Sequence, residues 1–325
     1  MTYKEIEYEI QDKEIARIRL NAPSRMNAFN LKMWNEFVDA IERVQKNNLI
    51  RVLIVSGNGR AWCVGGDLTS TQSEGAHPYG FIESMECEKP RINETEMLRL
   101  LRVPTIAQVN GYVMADGFGV MNAFDLIVAA EGAKIGLYAN RFGGPAAEQF
   151  GWLWMMPLRK VKEMVFTGDL FDAEELYRVG LINKVVPLDK LEEETTLLAK
   201  KIANMNPLTM RLQKESIRLM LDTSGFSAAE RAACLYHWIG HYAAQNFSGE
   251  IHQQRLQLGM QWFNRASRAG AFRDAETTKN VVEASVKEYK RQKGKFTDLD
   301  RLDKVIAKAV QSTKDAPNWN GPAVR

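Results

Sequence analysis

The stretch from Pro104 to Gly119 limits what this chain can fold into more than any other. Pro104-Thr105-Ile106-Ala107-Gln108-Val109 is an apolar run of strand length. It breaks at Asn110-Gly111, passes through the small residues around Ala115-Asp116-Gly117, and re-enters an apolar segment with helical spacing. A strand that turns this sharply into a helix leaves backbone N–H groups unpaired at the turn, where the peptide dipoles favour negative charge. The same order occurs upstream, with the strand Arg51–Gly57 followed by Ala61-Trp62-Cys63-Val64-Gly65-Gly66-Asp67. Two such turns can aim two N–H groups at one oxyanion, the main stabilising device for reactions that pass through an enolate.

The rest of the chain fits an α/β core. Tyr3–Ile10 and Glu14–Leu20 alternate as two antiparallel strands about the polar turn Gln11-Asp12-Lys13. Trp34, Phe37, Val38, Ile41 and Val44 recur at helical spacing behind an Asn30 cap. Further strands are expected at Thr105–Val109, Asp125–Ala129 and Lys134–Tyr138. Beyond Asp189 the pattern becomes helical, over Leu191–Met205, Pro207–Leu221, Ser227–Asn246 and Glu250–Ala266. Val282, Val286 and Tyr289 share one helix face, and so do Leu299, Leu302, Ile306 and Val310, which predicts two amphipathic helices around Gly294.

Composition excludes several classes. The 43 Lys and Arg nearly balance 40 Asp and Glu, for a net charge of +3, so nothing favours a nucleic-acid partner. The 3 cysteines, Cys63, Cys87 and Cys234, are widely spaced and read as reduced thiols. No apolar run approaches a membrane span, and no signal core or peroxisomal address is recognisable, so a cytoplasmic protein without a membrane partner is expected. His237 and His241 share a helix face without a third ligand, so no metal is expected.

Ala61-Trp62-Cys63-Val64-Gly65-Gly66-Asp67-Leu68 and Val109-Asn110-Gly111-Tyr112 resemble the two signature segments of the crotonase (enoyl-CoA hydratase/isomerase) superfamily. Asp125–Ala130, Val165-Phe166-Thr167-Gly168, Ala173-Glu174-Glu175 and Gly180–Pro187 resemble its later landmarks in order and spacing, and the likeness runs from about Tyr3 to Phe272. The resemblance implies a spiral of ββα repeats with a C-terminal helical trimerisation region. It divides the chain into a core over 1–188, a helical oligomerisation region over 189–272 and an extra helical tail over 273–325. It also implies an acyl-CoA thioester as substrate, no cofactor beyond the CoA moiety, and a homotrimer or hexamer.

Carried over by position, the oxyanion donors are the backbone N–H groups of Val64 and Asp116. Each such donor is worth about 3–4 kcal/mol in comparable acyl chemistry. Glycine is usual in the family where Asp116 stands. A carboxylate beside a developing enolate opposes it by about 4 kcal/mol at 4 Å and an effective dielectric of 20. Asp116 is therefore expected to turn away as a helix N-cap, to be protonated, or to move a proton itself.

The two glutamates with which family hydratases handle water fall on Gly119 and Ala139, neither of which can exchange a proton. Another group must serve. Glu148, after Gly143-Gly144-Pro145-Ala146-Ala147, and Tyr138 are the candidates beside Asp116, and Glu148 is also placed to be an ordinary first-turn residue favoured by the helix dipole. For CoA, the resemblance implies Arg25 and Ala28, then Ala61, Gly66, Asp67 and Leu68, and, reaching a neighbouring subunit's CoA, Phe263 with Arg265 or Arg268. The expected activity is a non-standard hydratase/lyase or isomerase. An acyl-CoA hydrolase of C–C or thioester bonds, or a non-catalytic crotonase-fold binding protein, is the alternative.

Overall fold

The computed structural model describes residues 3–67, 96–137, 154–230, 232–233, 236, 258, 265–266, 269 and 275–314. The contacts divide the chain into two units, Met1–Asn140 with Gly144–Gly240, and Arg141–Gly143 with His241–Arg325.

The first unit is wound from strands that alternate between two sheets. The larger sheet holds β1 (Ile6–Gln11), β2 (Ile15–Leu20), β3 (Val52–Gly57), β5 (Thr105–Val109), β7 (Leu126–Ala130) and β10 (Lys184–Val186), in that spatial order. The smaller holds β4 (Ala61–Cys63), β6 (Tyr112–Met114), β8 (Lys134–Gly136) and β9 (Phe171–Asp172). β3 and β4, β5 and β6, and β7 and β8 each send one strand to the large sheet and the next to the small one. β1 and β2 are antiparallel about Asp12 and Lys13, both at positive φ, while the other neighbours in the large sheet run parallel.

Burial explains why the central strands read as unbroken apolar runs. Leu53, Val55, Ala107 and Val109 face a core with Trp62 and the inner stripe of α1 (Leu31–Lys46), namely Met33, Trp34, Phe37, Ile41 and Val44. The alternate residues Val52, Ile54, Ile106 and Val128 face the opposite side, where Leu191 and Ala199 of α5 (Leu191–Ala203) cover them. A parallel sheet buried on both faces cannot show the polar–apolar alternation of a half-exposed strand. Asn30 caps α1 as expected, its Oδ1 accepting from the Met33 N–H at 2.8 Å.

The same unit carries α2 (Asp116–Asn122), α3 (Leu158–Thr167), α4 (Ala173–Arg178) and α6 (Pro207–Thr223). α6 has no buried residue of its own. It is fastened by Lys214, whose ammonium donates to the Val103 carbonyl at 3.0 Å and to Asp125 at 2.7 Å, and burial lowers the pKa of this lysine.

In the second unit, α7 (Ala275–Arg291) and α8 (Leu299–Lys314) form the amphipathic pair expected around Gly294. Val281, Val282, Leu302, Ile306 and Val310 are buried together with Leu258 and Ala266. The Glu288 carboxylate accepts from Arg291 and Gln292 and pairs with Arg301, and these donors, Arg291 first, hold its pKa down at about 2.

Candidate active site

Trp62 fixes the first turn. Its ring is fully buried in T-shaped contact with Phe124, and its Nε1–H donates to the Val55 carbonyl at 3.1 Å. β4 therefore ends at a set place, and Val64-Gly65-Gly66-Asp67 follows. Gly65 has φ +100°, a conformation that L side chains rarely adopt. A Cβ there would lie 3.0 Å from the Ala115 side chain and 3.1 Å from the Asp116 nitrogen, so the two turns meet at this residue. Gly117 has a second close approach, since a Cβ would stand 2.4 Å from the Cys63 carbonyl oxygen. With both glycines in place, Val64 and Asp116 come to neighbouring positions, each half-buried.

The second turn differs from expectation by one residue. Ala115, not Asp116, is the N-cap of α2, at φ 48° and ψ −128° and without a side-chain cap. Asp116 is thus already helical and does not act as the cap. Its carboxylate lies against the first turn, because a Cβ on Gly66 would sit 3.2 Å from Asp116 Oδ2. Gly119 is buried within α2.

Cys63 is no nucleophile. Burial, reinforced by the charge of Asp116, pushes its thiol up to about 12, where the reactive thiolate is not populated at neutral pH. Its Sγ instead accepts from the Gly65 N–H at 3.4 Å and helps to hold the turn.

The segment expected to meet CoA docks directly on these turns. Phe29 pairs with Gly66 as a parallel bridge, donating to the Gly65 carbonyl at 2.8 Å and accepting from the Asp67 N–H at 2.7 Å. Arg25, Ala28, Ala61, Gly66 and Asp67 are thereby brought together. Arg25 is occupied within the protein: its Nε donates to the Ala28 carbonyl at 2.8 Å, and the guanidinium pairs with Glu5 and, at 3.7 Å, with Asp67.

Asn27 is the organising residue that the sequence did not single out. Fully buried at φ 56°, it accepts from the Ala22 N–H at 2.8 Å and donates to the carbonyls of Asn58 at 2.9 Å and Ala61 at 2.8 Å. An asparagine, a residue type that tolerates the left-handed region, in the short stretch between β2 and α1 was the available signal.

Glu148, Tyr138, Leu68, Phe263 and Arg268, together with Ala139, lie outside the described residues. Arg265 pairs with Asp303 of α8. Among the described residues no group of three His, Cys, Asp or Glu is placed to hold a metal ion.

Strands dealt alternately to two sheets, with two glycine turns meeting at one point, define an α/β fold of the crotonase type. The chain belongs to the enoyl-CoA hydratase/isomerase family, whose pattern it matches over residues 10–264. It is 34% identical over 279 residues to EchA13 of Mycobacterium tuberculosis, a protein named as an enoyl-CoA hydratase, covering 80% of this chain and 88% of that one. A Mycobacterium smegmatis structure named as an enoyl-CoA hydratase superposes with a TM-score of 0.71 at 32% identity, covering 77% of this chain and 98% of that one. An enoyl-CoA hydratase/isomerase from Xanthobacter autotrophicus Py2 superposes at 0.67 with 27% identity, over 74% of this chain and 89% of its own.

Proposed function

We propose that the protein binds an acyl-CoA thioester with its carbonyl between the backbone N–H groups of Val64 and Asp116 and stabilises the enolate formed there. The observation that carries this reading is the contact of the two turns at Gly65, 3.1 Å from its Cβ position to the Asp116 nitrogen. The CoA moiety runs past Arg25, Ala28, Ala61, Gly66, Asp67 and Leu68, with Phe263 and Arg268 serving a neighbouring subunit. Arg25, neutralised by Glu5 and Asp67, acts mainly by shaping the wall. No further cofactor is used.

The reaction is a non-standard hydration, lyase or isomerisation step. Gly119 and Ala139 remove the paired-glutamate route, so Glu148 is assigned the proton transfer, with Tyr138 beside it. The Asp116 carboxylate is the second candidate, supported by its position over the Gly65–Gly66 turn. Among the described residues no helix is long and apolar enough to cross a membrane. A cytoplasmic trimer or hexamer fits this activity.

Turnover of two variants tests the assignment. Glu148→Gln should keep affinity for the thioester and lose turnover, because the amide preserves shape but cannot exchange a proton. Asp116→Asn should leave turnover within a few-fold. Loss confined to Asp116→Asn moves the role to that residue, and loss in neither overturns both assignments. Crotonyl-CoA hydration by the unmodified protein should be very slow. A rate near the enzyme median, about 10 s⁻¹, would contradict the mechanism.

A further inference from the structure

A cavity lies beside the N-terminal ends of β3 and β5. It is lined by residues that precede these two strands, Arg51 before β3 and Arg102 to Pro104 before β5, whereas the glycine turns follow β4 and β6 of the smaller sheet. None of the lining residues belongs to either turn. The cavity holds about 170 Å³, enough for a small organic molecule.

Its lining combines two chemistries. Arg51, Arg102 and Arg211 converge on it, and the remainder is apolar, with Ile50, Ile202 and Leu208 among the wall residues. The three cations are poorly compensated. Arg102 spends its donors on the carbonyls of Val44, Gln45 and Asn47 at the end of α1, which fixes it in place without neutralising it. Burial, and repulsion from Arg211 and Arg51, lower its pKa. The Arg51 Nε is buried without a hydrogen-bond partner, and its nearest carboxylate, Glu14, stands 3.8 Å away. Arg211 has no hydrogen bond or ion pair among the described residues. Glu215, one turn further along α6, is hydrogen-bonded by Arg218 at 2.5 Å and attracts Arg211 only through space.

Like charges gathered over apolar surface are unfavourable until an anion joins them, and a guanidinium fork matches a carboxylate in particular. The apolar wall selects against a bare inorganic anion and for one that carries an alkyl chain. We infer that this cavity is a second binding site, which takes a short-chain aliphatic carboxylate with its head group on Arg51 and Arg211 and its chain against Ile50, Ile202 and Leu208. The site is independent of the acyl-CoA turns, and an occupant there does not compete with CoA.

Titration calorimetry of the full chain with hexanoate, against hexylamine and inorganic phosphate as probes, tests this. Hexanoate should bind one site per chain with a Kd in the millimolar range or tighter, unchanged by saturating acetyl-CoA. Arg211→Gln should weaken it about tenfold, the scale of one lost charge-assisted hydrogen bond. Leu208→Glu, which sets a carboxylate at the mouth, should weaken it at least as much. Both residues are exposed, so the fold should tolerate the changes. Absence of hexanoate binding, equal binding of phosphate or hexylamine, or displacement by acetyl-CoA would overturn the proposal. So would an Arg211→Gln protein that binds hexanoate normally, or one whose only change is in oligomeric mass, which would make the cavity a contact between subunits.

Discussion

Ala115 sits at φ 48° and ψ −128°, which is glycine-like backbone carried by an alanine. Holding a non-glycine residue there costs on the order of 1–3 kcal/mol, and such strain persists only where its surroundings enforce it. The facing turn leaves little room there, since a Cβ on Gly65 would stand 3.0 Å from the Ala115 side chain. Ala115→Gly should therefore stabilise the protein by roughly 1 kcal/mol, read as a higher midpoint in chemical denaturation, while relaxing the aim of the Asp116 N–H. A drop in stability would mean that the alanine methyl contributes more through packing than its backbone loses. This residue also marks where the sequence stopped being legible. A sharp turn before Gly117 could be read from small residues alone. That α2 begins at Asp116 and not after it could not, because nothing about an alanine announces a positive φ. Asn27 escaped notice for a related reason: its three partners, Ala22, Asn58 and Ala61, converge only once β4 is in place.

Elements are joined here by a few polar fasteners as well as by apolar faces. Near the end of α6, Arg99 pairs with Glu230 at 3.0 Å and Asp222 at 3.4 Å and lies over the Phe226 ring at 3.8 Å. Burial outweighs the attraction of Arg99 and raises the Glu230 pKa from 4.5 to about 7. The folded protein thus holds this proton more tightly than the unfolded chain does. The resulting stabilisation is fully present below pH 4.5 and is lost as pH rises through 7, by the linkage between protonation and folding. Over that window Glu230 should account for a decline on the order of 2 kcal/mol, and Glu230→Gln should flatten it in denaturation curves taken from pH 5 to 8. An identical slope in the variant would mean that Glu230 is ionised throughout. The helices expected from periodicity over Leu191–Met205 and Pro207–Leu221 are found at Leu191–Ala203 and Pro207–Thr223. What each helix covers does not follow from periodicity: the same amphipathic pattern serves α5, which lies on its own sheet, and α6, none of whose residues is fully buried in this chain.

That unburied helix sets the expectation for the whole molecule. Leu212, Leu219 and Met220 of α6 are 59%, 50% and 62% exposed, a row too apolar to face water in an isolated subunit. Assembly into a trimer or hexamer should cover it, and light scattering at micromolar concentration should return a mass three or six times that of the chain. A stable monomer would contradict this. Whichever group moves the proton, the first requirement of the proposed activity is to recognise the thioester carrier. Titration calorimetry with acetyl-CoA, CoA and acetate tests that most directly. Acetyl-CoA should bind most tightly, CoA more weakly because it leaves the Val64 and Asp116 N–H groups unfilled, and acetate not measurably, since it lacks both the carrier and a chain long enough for the arginine-lined cavity. Equal affinity for all three, or binding of none, would contradict the account.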